Sequence, residues 1–155
     1  MNEPAVNLEN KLKVSLILTP ELNTVWKECE QILKKSCKRS DGRVRTVDIY
    51  YRIARNLSQL WIIFDDDDLS IVSCLVTNIH TYPTGLKMLN IEHIAGKKMG
   101  DWIDQGLDVL YRWSKDNDCH GIEGLGRAGF ENWIKDKEGW EQTSKFYQII
   151  FEGDK

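Results

Sequence analysis

The sequence LKMLNIEHIAGKKMGDWIDQGLDVLYRWSKDNDCHGIEGL, residues 86–125, decides the fold of this chain. It starts with a segment over Leu86–Ile94 whose branched residues and alternation predict a β-strand. A basic loop with flanking glycines follows, and apolar residues then recur at spacings of three, four and seven to about Asn117, which predicts an amphipathic helix. Cys119–Leu125 predicts a second strand. This order indicates two parallel strands joined by a right-handed crossover.

The segments before this unit predict one strand, two helices and a hairpin. In chain order they are a strand over Lys13–Leu18, a helix starting at Thr19-Pro20-Glu21, a helix over Val47–Arg55 capped by Thr46, and strands over Gln59–Phe64 and Leu69–His80. Asp65–Asp68 forms the polar turn of the hairpin, and Tyr82-Pro83-Thr84-Gly85 forms the next turn. Three consecutive antiparallel strands are therefore expected.

The C-terminal part predicts a short helix over Gly126–Lys137 and a final strand over Gly139–Phe151. The whole order is then β-α-α-β-β-β-α-β-α-β. We expect an α/β fold of the α+β type, with a mixed sheet that is mostly antiparallel and has one parallel β-α-β crossover. A 41% hydrophobic content in 155 residues suits one domain, which we assign to residues 13–155 after a mobile tail over residues 1–12.

Composition and sequence patterns disfavour several classes of protein. The net charge of -3 gives no general attraction to nucleic acid. The four cysteines form no CxxC pair, which favours reduced, buried thiols, and the scattered histidines predict no metal site. The N-terminus lacks the pattern of a signal peptide, and no apolar run is long enough to cross a membrane. We expect a soluble protein that is not secreted.

The element order resembles the GNAT acyltransferase fold from residue 13 to the C-terminus. The stretches that carry the resemblance are Tyr82-Pro83, Met99-Gly-Asp-Trp102, Cys119-His-Gly-Ile-Glu123, Gly126-Arg-Ala-Gly-Phe130 and Gly139-Trp140. Among GNAT proteins the chain is similar to small GNAT-like proteins of tailed bacteriophages. The resemblance implies transfer of an acetyl group from acetyl-CoA to an amine. Its alternative is an inactive phage protein that serves as a virion or assembly component through contacts with phage structural proteins.

The resemblance also implies a cofactor-binding loop, made of Ile94, Ala95, Gly96, Lys97, Lys98, Met99 and Gly100. In the family the pyrophosphate lies on backbone amides at the start of the helix, where unsatisfied N–H groups and the helix dipole attract an anion. Here Ala95 replaces the usual Arg or Gln, and Lys98 stands where a second glycine is common. The alternative is a solvated basic turn at a helix start.

Two residues are candidates for acid–base chemistry. The resemblance places a catalytic carboxylate near Glu92, whose strand face Asn90 shares, and it implies that Tyr147 protonates the leaving thiolate. Glu123 is a second candidate for the base. The alternatives are a surface or ion-paired glutamate at 92, core or edge packing of Tyr147, and a structural hydrogen bond at 123.

The basic run Lys34–Arg45 contains six basic residues and one acid. The resemblance places it at the substrate side, where it would favour an acidic acceptor or, less readily, a nucleic acid. Its alternative is a solvated connection between the two helices. If the chain is phage-encoded, it would act in the host cytoplasm or travel in the virion.

Overall fold

The computed structural model describes residues 11–126 and 130–152. It divides the chain into two compact units, the first ending at Gly124 and the second beginning at Leu125. In the first unit β1 starts at Leu12, one residue before the predicted strand, while residues 1–10 of the predicted tail lie outside the described residues. The assignment of residues 13–155 to one domain stays a prediction.

The first unit contains five strands and three α-helices within its described residues. They are β1 Leu12–Ile17, α1 Leu22–Lys38, α2 Thr46–Ala54, β2 Gln59–Asp65, β3 Ile71–Thr81, β4 Lys87–Gly96, α3 Met99–Asp116 and β5 Gly121–Gly124, with a 3₁₀ turn over Thr19–Glu21 before α1.

The strands form one sheet in the order β1-β2-β3-β4-β5. The first three neighbouring pairs are antiparallel, and β4 and β5 are parallel. The predicted mixed sheet with a single parallel crossover is therefore confirmed. Its basis is the sequence pattern of two strands separated by a long amphipathic helix, because parallel neighbours need a crossover connection of this length.

Helices cover both faces of the sheet. On the α1/α2 face, side chains from both helices pack with strand residues into one buried cluster that includes Leu33, Ile53, Ile62 and Val76. On the α3 face, the Trp113 ring lies edge-on to Trp61, with ring centroids 5.4 Å apart. Because both faces are covered, the middle of β2 is apolar at consecutive positions rather than at alternate ones.

The starts of the first two helices differ from the predictions. The chain makes a 3₁₀ turn at Thr19–Glu21 before α1 begins, and the Thr19 hydroxyl donates to Asn56 Oδ1. Thr46 is the first residue of α2 rather than its cap, because its hydroxyl donates to Glu30 Oε2 on α1. Both hydroxyls are thus used for tertiary contacts, which spacing along the chain does not reveal.

The second unit contains one helix in its described residues, α4 Glu131–Ile134, inside the predicted helical range 126–137. Residues 127–129 of that prediction lie outside the described residues. The predicted strand over 139–151 was wrong, because residues 141–151 form neither helix nor strand. An apolar segment forms a strand only where a neighbouring strand pairs with its backbone N–H and C=O groups. Across residues 11–126 and 130–152, no helix is long and apolar enough to cross a membrane.

Candidate active site

A pocket of about 80 Å³ opens on the α1/α2 face of the sheet. Apolar side chains and polar groups both line it, and they are Val44, Asp48, Ile49, Arg52, Ser58, Val76, Glu92 and His93. They come from α2 and its flanking turns and from β3 and β4. This volume is well below the about 300–1,000 Å³ of pockets that enclose a drug-sized ligand, so the pocket holds a small group and not a whole ligand.

A β-bulge in β4 places two consecutive side chains in this pocket. Val76 of β3 pairs with His93, and the next residue, Thr77, pairs with Ile91, so that Glu92 is the extra residue on β4. Successive residues of a regular strand point to opposite faces, whereas a bulge changes the direction of a side chain. The bulge therefore explains why both Glu92 and His93 line the pocket.

The Glu92 carboxylate is part of a hydrogen-bonded chain. Ser58 Oγ donates to Glu92 Oε1 over 2.8 Å, and Arg52 Nε donates to Ser58 Oγ over 3.0 Å. Arg52 Nε also lies 3.8 Å from Glu92 Oε2, which is an ion pair but too long for a hydrogen bond. One carboxylate oxygen is thus held by Ser58, and the other has no hydrogen bond from either residue.

The neighbouring His93 is held from α1. Its Nδ1 shares a hydrogen bond of 2.7 Å with Ser36 Oγ. Burial lowers the pKa of His93 below its ordinary 6.5, and the charge of Glu92 opposes part of that shift. The ring is therefore neutral at pH 7. A neutral imidazole beside a carboxylate gives the pocket a hydrogen-bonding group without a second charge.

The rim of the pocket is formed where the basic run meets α2. Val44 lines the pocket at the end of the run, and Asp48 does so from the first turn of α2. The Arg45 side chain and its backbone N–H both donate to Asp48, and these bonds hold the pKa of Asp48 below its ordinary value. The C-terminal end of the basic run thus borders the pocket.

The predicted cofactor loop follows on the same strand. β4 extends through Gly96, so Ile94 and Ala95 belong to the strand, and Ala95 is buried in the α1/α2 cluster. Gly96 has φ +128°, and a Cβ there would lie 2.4 Å from Ser73 Oγ and from the Val72 carbonyl oxygen. The glycine is therefore required by the close approach of β3.

Lys97 fastens the loop to β3. Its N–H donates to the Val72 carbonyl over 3.0 Å and to Ser73 Oγ over 2.9 Å. Its carbonyl accepts from Ser73 Oγ over 2.7 Å and from Trp102 Nε1 over 3.0 Å. The backbone of Lys97 is thus fixed, and its exposed side chain remains directed away from the core.

Lys98 adopts the backbone conformation that favours glycine. It is the N-cap of α3 with φ 59° and ψ 31°, in the left-handed region. The N–H groups of Met99 and Gly100 follow at the first two helical positions, where a helix has no acceptor of its own. Lys98 therefore has a backbone conformation that glycine adopts most readily, although the residue is lysine.

The edge of β4 next to this loop is open in the first unit. Pairing of β4 with β5 runs from Met88↔Gly121 to Ile91↔Gly124 and ends there. β4 continues to Gly96, so residues 92–96 extend beyond the last paired residue of β5. Backbone donors and acceptors on that edge can bind an extended ligand.

The other candidates lie elsewhere. Glu123 accepts a 2.5 Å hydrogen bond from the Tyr82 hydroxyl, which raises the pKa of Tyr82. Asn90 donates to Asn78 Oδ1 over 3.0 Å and does not line the pocket. Tyr147 belongs to the second unit, where its side chain is 83% exposed.

Sequence reasoning missed four residues of the site, namely Ser36, Arg52, Ser58 and His93. Their contacts join residues that are 6 to 57 positions apart in the sequence. Only the bulge gives His93 its direction, since strict alternation would place it on the opposite face from Glu92. Among the described parts of the chain, no group of three or more His, Cys, Asp or Glu side chains is placed to hold a metal ion.

No protein-family model and no curated protein matches the sequence. Solved structures do match. A ribosomal-protein-alanine N-acetyltransferase from Brucella melitensis biovar Abortus 2308 superposes with a TM-score of 0.62 at 15% identity, covering 90% of this chain and 97% of its own. An aminoglycoside acetyltransferase from a soil metagenome, solved with sisomicin, superposes with a TM-score of 0.64 at 11% identity, covering 93% of this chain and 99% of its own. A GNAT family acetyltransferase from Staphylococcus aureus superposes with a TM-score of 0.56 at 13% identity, covering 90% of this chain and 99% of its own. The chain therefore has the fold of the GNAT acetyltransferases.

Proposed function

We propose that this protein is an N-acetyltransferase that moves an acetyl group from acetyl-CoA to an amine. One observation carries the proposal: the bulge of β4 places Glu92 in the pocket, on the same strand that leads into the α3 N-terminus. Glu92 and Gly96 are four residues apart, which is about 13 Å along an extended strand. A long, flexible cofactor that lies along this strand can connect the two places.

Backbone groups are the part of the chain that fits acetyl-CoA. The N–H groups of Met99 and Gly100 would face the pyrophosphate, and the open edge of β4 over residues 92–96 would bind the pantetheine arm of acetyl-CoA. Lys97 and Lys98 are exposed beside them and add positive charge. Acetyl-CoA supplies the acetyl group as an activated thioester.

Glu92 would act as the base in this reaction. Its carboxylate takes a proton from the acceptor ammonium, directly or through water, so that the amine nitrogen can bond to the acetyl carbonyl carbon as the carbon–sulfur bond breaks. Tyr147 is the acid that the resemblance implies for the leaving thiolate. That role stays part of the proposal, because Tyr147 lies in the second unit.

The acceptor is an amine whose reacting end is small enough for a pocket of about 80 Å³. The two matched acetyltransferases named for ribosomal-protein alanine and for an aminoglycoside suggest probes of different size. We would use a short peptide with N-terminal alanine, sisomicin and free lysine. Release of free thiol from acetyl-CoA reports turnover with each of them.

Thermal unfolding with and without acetyl-CoA tests the proposal. A ligand that binds only the folded state adds about 2.7 kcal/mol at a hundredfold excess over its Kd, which raises the unfolding midpoint clearly. Acetate at the same concentration is the control and is expected to cause no rise. An unchanged midpoint at millimolar acetyl-CoA would overturn the enzyme proposal.

The alternative drawn from the sequence is an inactive phage GNAT-like protein with a structural role. It rests on the departures of the loop from the family pattern, with Ala95 in place of Arg or Gln and Lys98 in place of a glycine. The left-handed backbone at Lys98 weakens the second of these grounds, since lysine here adopts a conformation that favours glycine. Co-purification with capsid, portal or tail proteins, together with no response to acetyl-CoA, would favour this alternative over the enzyme.

A further inference from the structure

We propose that Ser58 is a positioning residue for Glu92, acting with Arg52, in the reaction proposed above. The sequence patterns gave no indication of either residue. Ser58 is 4% exposed and lies in the turn between α2 and β2. Its hydroxyl contacts the guanidinium on one side and the carboxylate on the other.

The direction of the two hydrogen bonds follows from the donors present. Arg52 Nε can only donate, so Ser58 Oγ accepts from it over 3.0 Å. The single hydroxyl proton of Ser58 is then donated to Glu92 Oε1 over 2.8 Å. A serine held in this way has one orientation, and it fixes one oxygen of the carboxylate.

Arg52 also fixes the backbone that carries Ser58. Its carbonyl accepts from the N–H groups of Leu57 and Ser58, at 2.8 and 3.2 Å, while its Nη2 donates to the Leu57 carbonyl over 3.4 Å. Asn56 completes the turn with φ +60°. The serine hydroxyl is therefore placed by the end of α2 and not by a free loop.

The two oxygens of the Glu92 carboxylate therefore have different roles in the reaction. Oε1 is held by Ser58, and Oε2 lies 3.8 Å from Arg52 Nε, beyond hydrogen-bond distance. Oε2 is the oxygen that receives the proton from the acceptor. Loss of the Ser58 hydroxyl lets the carboxylate rotate, and misplacement of a reacting group on this scale lowers turnover by about 10- to 100-fold.

A double-mutant cycle on turnover tests this role. S58A is expected to lower kcat by about 10- to 100-fold while the KM for acetyl-CoA and the thermal response to acetyl-CoA stay unchanged. S58T, which keeps the hydroxyl, is expected to restore most of kcat. In the E92Q background S58A is expected to cause no further loss, because a residue that acts through Glu92 has nothing left to position.

Two further variants serve as a second probe of this role and as its control. R52K removes the Nε donor from a side chain that is 44% exposed, so it puts folding at less risk, and its loss of kcat is also expected to vanish in the E92Q background. S114A removes an equally buried hydroxyl that donates to the Tyr111 carbonyl on α3, and it is expected to retain kcat.

Equal losses from S58A with and without Glu92, or full kcat in S58A, would overturn the positioning role while leaving an active wild type. If the wild type releases no thiol from acetyl-CoA with any of the three probe amines, the proposed function is overturned, and the positioning role with it.

Discussion

Glu92 and the loop Gly96–Gly100 lie within nine consecutive residues, yet the pocket around Glu92 and the loop are built from different parts of the chain. In the pocket, side chains from α1, α2, the following turn and β4 contact one another. In the loop, backbone groups make the contacts, and the lysine side chains are exposed. A substitution in the loop can therefore leave its backbone contacts intact, because every residue except proline has an N–H group. A substitution in the pocket removes a contact, because few residues have a carboxylate.

The largest effect is expected in the pocket, from E92Q. Replacing a general base by a neutral amide of the same shape should lower kcat by about 10²- to 10⁴-fold. The thermal response to acetyl-CoA should remain, since the loop is unchanged. E123Q is the matched comparison, because Glu123 carries the same group on the same sheet and is bonded to Tyr82. A large loss of kcat in E123Q and none in E92Q would assign the role of general base to Glu123.

In the loop the largest effect is expected from G96A. A Cβ would overlap Ser73 and the Val72 carbonyl at 2.4 Å, and overpacking of this kind costs about 3 kcal/mol of unfolding free energy. G85A is the control. Gly85 also has positive φ, at +91°, but no atom lies within 4 Å of its added Cβ, so about 1 kcal/mol is expected. Denaturant unfolding measures both, and equal losses would show that strain alone explains Gly96.

A smaller effect of opposite sign is expected from K98G. Glycine relieves the left-handed strain at φ 59°, with a net gain of about 0.5–1 kcal/mol in unfolding free energy. If backbone amides bind acetyl-CoA, its affinity in K98G should match that in K98Q, which also lacks the charge but keeps a Cβ. Weaker binding in K98G alone would show that the lysine stem, rather than the backbone, contacts the ligand.

The smallest effect concerns the pH dependence of stability through His93. Its pKa is lowered in the folded protein, so the unfolded chain binds the proton first as pH falls below 6.5. Stability is therefore complete above that pH and decreases below it, towards the lowered value. H93N, which cannot titrate, should flatten this part of the stability curve in urea unfolding between pH 5 and 7. An unchanged slope would show that His93 is not the responsible group.

Much of the fold could be predicted because its signals are local and periodic. The β4-α3-β5 unit follows from one strand pattern, one helical pattern and a second strand, and chirality then fixes the crossover. The strand predicted over 139–151 failed for the complementary reason. The segment is apolar near its end, but a strand also needs a partner strand, and the segment itself does not reveal whether one is present.

The residues of the candidate site could likewise be predicted only in part. Sequence alone singled out Glu92 and the loop through Gly100, because the resemblance places function next to the crossover helix. It did not find Ser58, Arg52, His93 or Ser36, which reach Glu92 or the pocket from other elements.

The sequence by itself determined the order of elements, the parallel crossover and the glycine at 96 on which the approach of β3 depends. Only the tertiary structure decided that Lys98 would adopt a glycine-like conformation and that a bulge would direct Glu92 and His93 into one pocket. The physical reason is the range of the interactions. Periodicity and chirality act within a segment, whereas a bulge and a hydrogen-bonded carboxylate depend on neighbours that only folding brings together.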